Sequence, residues 1–173
     1  MSEVTLLFDA AQIARRVEEL AWDIAKTVSG DLVLVGLLKG SFVFAADLVR
    51  ALDAAGLRPR VDFIRLSSYG ARQQSSGRVE LEGELPAEIA GRTVLVVDDI
   101  IDGGRTLLRA RELLMAAGAA RVLACALLDK PSRRQVDSTA DFVGFTIEDR
   151  FVVGYGLDFA ERYRHLPYIG VLD

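Results

Sequence analysis

Three carboxylates, Asp98, Asp99 and Asp102, run into Gly103-Gly104 and then Arg105-Thr106. Two glycines in a row let the main chain bend in ways closed to other residues and let a ligand approach the backbone. The N–H groups that open a following helix lack intrahelical partners, so a nest of amides aimed at an anion is expected there. Arg105 adds a cation and Thr106 a hydroxyl donor. The carboxylates stand against an anion site: like charges about 4 Å apart repel by roughly 1 kcal/mol in water and by more in a cleft. The conflict disappears if the acids face sugar hydroxyls or a hard cation such as Mg²⁺. A phosphorylated sugar satisfies both halves, with its 5′-phosphate on Gly103, Gly104, Arg105 and Thr106 and its diol against Asp98 and Asp99. The plainer alternative is an acidic turn that only caps the helix.

Neighbouring motifs fit less well. A P-loop needs Gly at 99 and Lys at 105, where Asp and Arg stand. The dinucleotide pattern Gly-x-Gly-x-x-Gly is absent here, with Gly154-Tyr155-Gly156 only a fragment of it. His165 is the only histidine, which argues against a His-built zinc site or a Ser-His-Asp triad. Cys125 is also alone and lies in an apolar run, so it reads as packing.

The elements that must hold these residues alternate. Asp9 and Gln12 form a candidate capping box, and Ile13, Val17, Leu20, Ile24 and Val28 follow at helical spacing, with Gly30 as the stop and Trp22 as a packing residue. Leu32–Leu38 is a continuous apolar run, expected of a strand covered on both faces. A helix is predicted over 42–55, strands over 61–67 and 79–85, and a polar loop over 68–78. A strand over 93–97, a turn over 98–104 and a helix over 105–117 carry the acidic motif. Further strands are predicted over 122–128, 142–147 and 151–153. Such alternation implies an α/β fold with a parallel core sheet flanked by helices, in which ligands bind beyond the carboxyl ends of the strands.

The 173 residues suit one domain, 51% of them hydrophobic and 27% charged. A net charge of −4 argues against a nucleic-acid partner. No apolar run is long enough to span a bilayer, so no membrane partner is expected. The first residues, Met1 to Thr5, lack the pattern of a signal peptide, and a cytoplasmic location is expected.

The segment 94–107, VLVVDDIIDGGRTL, resembles the phosphoribosyl-pyrophosphate motif of type I phosphoribosyltransferases. Leu38-Lys39-Gly40-Ser41, Ser67-Ser68-Tyr69-Gly70, Lys130 and the stretch FVVGYGLDFAERYRHLPYIG at 151–170 narrow the resemblance to the hypoxanthine-guanine branch. It implies the phosphoribosyltransferase fold, with a lid near 68–78 and a small C-terminal hood built largely from 151–173. It also implies transfer of a phosphoribosyl group to a 6-oxopurine, giving a purine nucleotide and pyrophosphate, with Mg²⁺ as cofactor and a homodimer or homotetramer as the assembly. By the same resemblance Asp102 is the base that handles the purine proton near N7, and Asp98 and Asp99 contact ribose and magnesium. Both acids can meet one ligand only if the strand has ended by Asp98, because successive strand residues point to opposite faces. Lys130 matches the lysine that reads the 6-oxo group, Phe151 the aromatic that stacks on the base, and Val152 the backbone at its edge. Asp158 matches an acid near purine and metal. Lys39, Gly40 and Arg164 match the pyrophosphate grip, with a cis peptide before Lys39, and Ser68 and Tyr69 match lid residues on the ligand.

The chain departs from that pattern at Gly103, where the family commonly has Thr, at Arg105 for Lys, at Asp98 for Glu, and at Gln73 or Gln74 for Thr. No catalytic group is lost by these changes. Two rivals stay open: a phosphoribosyl-pyrophosphate-binding regulator without catalysis, and the same chemistry on xanthine.

Overall fold

A computed structural model describes residues 3–68 and 78–173. In chain order the elements are β1 (Val4–Phe8), α1 (Ala10–Thr27), β2 (Leu32–Leu38), α2 (Phe42–Ala54), β3 (Arg60–Ser68), β4 (Val79–Glu82), β5 (Thr93–Ile101), α3 (Arg105–Ala116), β6 (Arg121–Asp129), β7 (Phe142–Thr146), β8 (Val152–Val153) and β9 (Ile169–Leu172). Six strands form one sheet in the order β4-β3-β2-β5-β6-β7. Its pairs are parallel from β3 through β7, and only β4 is antiparallel.

The period-two alternation of strands divides the central residues between two cores. Leu34, Leu95, Val97, Leu123, Cys125 and Leu127 pack on one face with α1 and α2. On the other face Val33, Val35, Val94, Val96, Ala124 and Ala126 pack against Leu107, Ala110 and Leu114 of α3. Each large aliphatic side chain so buried stabilises the fold by about 1.5–3 kcal/mol relative to exposure.

Helix α1 begins as its sequence predicts. Gln12 N donates to Asp9 Oδ1 at 2.8 Å, and Asp9 N donates to Gln12 Oε1 at 2.9 Å. The helix ends at Thr27, where Val28 turns extended, ahead of the expected glycine stop. Trp22 is not a packing residue: it is 54% exposed. It sits two positions after Leu20 and two before Ile24, which turns it away from the buried stripe.

Two further differences bear on function. Strand β5 does not stop at Val97 but continues to Ile101, because β6 stays paired with it as far as Ile101↔Asp129. The tail also does not build its sheet alone. The N-terminal β1, absent from the sequence-based expectation, joins β9 and β8 in a second, antiparallel sheet of order β1-β9-β8. Phe8 stacks on Phe145 of β7 with ring centroids 4.0 Å apart, and Tyr155 donates its hydroxyl to Asp47 of α2. These contacts set the tail over the carboxyl end of the main sheet. Gly156 (φ 96°) meets the main chain at Gly40 there, and any side chain at 156 would collide with the Gly40 carbonyl oxygen.

Candidate active site

A cavity of about 590 Å³ opens at the carboxyl ends of β2, β3 and β5. Its walls bring together the acidic motif, Lys39-Gly40, Ser68, Asp158 and Arg164, most of the residues singled out in the sequence. Tyr69, Gln73, Gln74 and most of the expected lid lie outside the described residues.

The pairing of β2 with β5 ends at Gly36↔Val97. Beyond it β5 is held only by β6, so Asp98 and Asp99 stand on a strand edge facing the loop that follows β2. The expectation that the strand ends by Asp98 is therefore corrected, yet both acids line the cavity. Asp98 is buried at 8% exposure, and its Oδ1 accepts from Asp99 N at 2.9 Å. Asp99 Oδ1 accepts from Ile100 N at 2.9 Å, and its carboxylate lies against Gly40, where a Cβ would come within 2.6 Å of Asp99 Cγ. Burial, together with the neighbouring Asp99 charge, pushes the Asp98 carboxyl well above the usual carboxylate range; burial also raises Asp99. The Leu38–Lys39 peptide is cis, as the resemblance implied.

Gly104 (φ 89°) is the N-cap of α3 and offers no side chain to cap it. The first helical bond runs from Leu108 N to Gly104 O at 3.1 Å, so the amides of Arg105, Thr106 and Leu107 precede it, and all three residues line the cavity. Asp102 is thus not the capping residue, and the plain capping reading of the acidic turn fails. The segment after β6 braces this nest from below. Gln135 N donates to Gly103 O at 2.8 Å, Arg105 Nε to Gln135 Oε1 at 3.0 Å, and Arg134 to both Asp102 O (2.9 Å) and Asp129 Oδ1 (2.6 Å). Arg133 Nε donates to Asp102 Oδ1 at 3.0 Å. Sequence reasoning missed Arg133, Arg134 and Gln135. Their one signal was a pair of arginines close behind a strand end, where ligands collect.

The expected purine-side residues Lys130, Phe151 and Val152 do not line this cavity. Lys130 is linked to it through Arg133, which does: Arg133 Nη1 lies 3.7 Å from Asp149 Oδ2, and Asp149 Oδ1 lies 3.9 Å from Lys130 Nζ. Lys130 is buried at 7% exposure, and its ammonium makes no hydrogen bond among the described residues. Such a cation has donors ready for an acceptor. Phe151 is half exposed, its ring edge-on to Phe159 at 5.5 Å. Val152 is buried in the second sheet opposite Val171.

Across the cavity Arg164 donates to Gly156 O at 2.7 Å and reaches Asp158 at 3.2 Å and Glu161 at 3.3 Å. Glu161 also meets Lys39 Nζ at 3.0 Å. The Lys39 ammonium and the Arg164 guanidinium hold the Glu161 carboxyl below its ordinary value. Glu161 was not singled out in the sequence.

Asp98, Asp99 and Asp158 present hard oxygen donors to one cavity, but among the described residues no group of three or more His, Cys, Asp or Glu could cage a metal. That donor set fits Mg²⁺, which takes one or two carboxylates and shares its remaining positions with water and substrate oxygens. The buried Asp98 and the partly buried Asp99, both with raised pKa values, are also a pair that a divalent cation would relieve.

A model of the phosphoribosyl transferase domain matches residues 3–160. The hypoxanthine phosphoribosyltransferase of Escherichia coli (strain K12) is 46% identical over 170 residues, covering 96% of this chain and 94% of that protein. The hypoxanthine-guanine phosphoribosyltransferase of Bacillus subtilis (strain 168) is 44% identical over 168 residues, covering 96% of this chain and 92% of that protein. Among solved structures, a hypoxanthine-guanine phosphoribosyltransferase from Bacillus anthracis superposes with a TM-score of 0.92 at 43% identity, over 99% of this chain and all of that one. On a site built from an amide nest beside paired carboxylates, and on likeness along nearly its whole length, this chain belongs to the phosphoribosyltransferase family, in its hypoxanthine-guanine branch and with the type I fold.

Proposed function

We propose that this chain transfers the 5-phosphoribosyl group of phosphoribosyl pyrophosphate to hypoxanthine or guanine, a purine-salvage reaction that yields IMP or GMP and pyrophosphate. The observation that carries this reading is the meeting, in one cavity, of an uncapped helix N-terminus, a carboxylate pair, Asp102 and two cations from distant segments. In the reaction the bond from ribose C1 to the pyrophosphate oxygen breaks and the bond from C1 to purine N9 forms. The proton leaving the purine near N7 goes to the Asp102 carboxylate.

Gly103, Gly104, Arg105 and Thr106 hold the 5′-phosphate, and Asp98 and Asp99 accept from the ribose hydroxyls. Lys39, Gly40 and Arg164 grip the pyrophosphate, whose electron pair needs stabilising as C1 gains oxocarbenium character. Lys130 donates to the 6-oxo group, which favours oxo over amino purines; Phe151 stacks on the base, and Val152 and Asp158 border it. Asp98, Asp99 and Asp158 are the residues that would hold Mg²⁺, which when bound neutralises developing charge on the leaving group. The chain acts as a single domain, residues 1–173, with a lid at about 68–78 carrying Ser68 and Tyr69 and a hood formed largely by 151–173. It works in the cytoplasm as a homodimer or homotetramer. No helix of the described residues is long and apolar enough to cross a membrane.

The test is nucleotide formation from phosphoribosyl pyrophosphate and MgCl₂ with hypoxanthine, guanine and xanthine in turn. Nucleotide is expected with hypoxanthine or guanine. Binding of phosphoribosyl pyrophosphate with no nucleotide from any of the three would favour a non-catalytic regulator, and a clear preference for xanthine would reassign the base.

A further inference from the structure

Phe159 and Arg162 close a tight turn by two mutual bonds, Arg162 N to Phe159 O at 3.0 Å and Phe159 N to Arg162 O at 3.1 Å. The central residues, Ala160 and Glu161, have φ of 50° and 63°. Such turns favour Gly, Asn or Asp at both places, and neither residue is one of these. Asp158 Oδ2 accepts from Glu161 N at 2.9 Å and fixes the turn's approach to the cavity. The result is a carboxylate with one oxygen on each of two cations: Oε2 lies 3.0 Å from Lys39 Nζ and Oε1 lies 3.3 Å from Arg164 Nη2. Among the described residues Glu161 is the one acid that touches both. Arg164 Nε is buried without a partner among those residues, so the guanidinium keeps a donor in reserve.

We infer that Glu161 is a positioning residue that stands in for the pyrophosphate group, spreading Lys39 and Arg164 for it in the resting protein and competing with it afterwards. This rests on the assignment of Lys39 and Arg164 as pyrophosphate ligands proposed above. The physical basis is a similarity of donors and acceptors. A diphosphate offers anionic oxygens to the same ammonium and the same guanidinium, but with more charge and more acceptors. Glu161 is 64% exposed, so water screens its pairs and a multiply charged ligand displaces it at small cost. Once displaced, its charge stays nearby and repels the bound diphosphate. Glu161 therefore limits how tightly the product is held and favours its release.

The experiment is calorimetric titration of the full chain with inorganic pyrophosphate in MgCl₂, for the parent and for Glu161→Gln, Glu161→Gly and Lys39→Met, together with the KM for phosphoribosyl pyrophosphate. Glu161→Gln and Glu161→Gly both remove the competing charge and should tighten pyrophosphate binding by about 2- to 10-fold. KM for phosphoribosyl pyrophosphate should fall with it. A role in turn strain alone would give the effect with Gly and not with Gln, and that result overturns the inference. So does unchanged or weaker pyrophosphate binding by Glu161→Gln while Lys39→Met weakens it, which would leave the ligand assignment standing. If Lys39→Met also binds pyrophosphate as the parent does, the assignment falls and takes the inference with it.

Discussion

Substituting Asp102 by Asn separates a proton acceptor from a structural acid. Asp102 Oδ1 accepts from Arg133 Nε at 3.0 Å, and an asparagine oxygen can accept the same bond in the same place. The backbone oxygen of residue 102 keeps its bond from Arg134, and the helix start is unaffected because Gly104 is the N-cap. The ion pair with Arg133 is lost, but both side chains are about half exposed, 51% and 48%, so solvent already screens it. The melting temperature should therefore stay within about 3 °C of the parent. What Asn cannot do is take a proton from the purine. Loss of a general base costs about 10²- to 10⁴-fold in rate, or about 2.7–5.4 kcal/mol of transition-state stabilisation. The assay pairs steady-state and single-turnover formation of IMP from hypoxanthine with a thermal melt and a pyrophosphate titration. The expected outcome is a kcat 10²- to 10⁴-fold lower, by order of magnitude, with pyrophosphate affinity and melting temperature preserved. A kcat within threefold of the parent would falsify the assignment, and so would a loss of activity that simply tracks a loss of folded protein.

Asp98→Asn should stabilise the ligand-free protein by about 2–6 °C at neutral pH and raise the KM for phosphoribosyl pyrophosphate, read by melts and kinetics in parallel. Asp98 keeps its proton to a higher pH folded than unfolded, so its contribution to stability is full below the unfolded value and is lost as pH rises through the folded one; the parent should lose stability across that window and the Asn variant should not, and a window of the same depth in both would refute the cause. Gly40→Ala puts a methyl where the Asp99 carboxylate lies and should raise the KM for phosphoribosyl pyrophosphate at least about 10-fold with little change in far-UV circular dichroism; an unaltered KM would mean that Asp99 can move without consequence. Tyr155→Phe removes the bond to Asp47 that ties the tail to α2 and should lower the melting temperature by about 2–8 °C, measured by calorimetry, whereas an unchanged melting temperature would show that the bond contributes nothing.

The amide nest and the acids beside it were legible in the sequence because they are neighbours along the chain. A glycine pair and a helix start fix their own backbone geometry, so the nest at residues 103–106 could be read without knowing what packs around it. The parallel sheet with helices on both faces was legible for a similar reason: unbroken apolar runs such as Leu32–Leu38 need cover on both faces. Tertiary structure decided the rest. The length of β5 depends on its pairing with β6, and this determines how Asp98 and Asp99 are presented. Arg133 meets Asp102, Asp99 rests on Gly40, and Glu161 spans Lys39 and Arg164, all through contacts between segments far apart in sequence. The same holds for β1, whose short run becomes a strand only because β9 arrives beside it, since an isolated strand has no partner for its amides. Local propensity and periodicity carry no information about which distant side chain will supply the opposite charge, and in this protein that choice determines how the site is held ready.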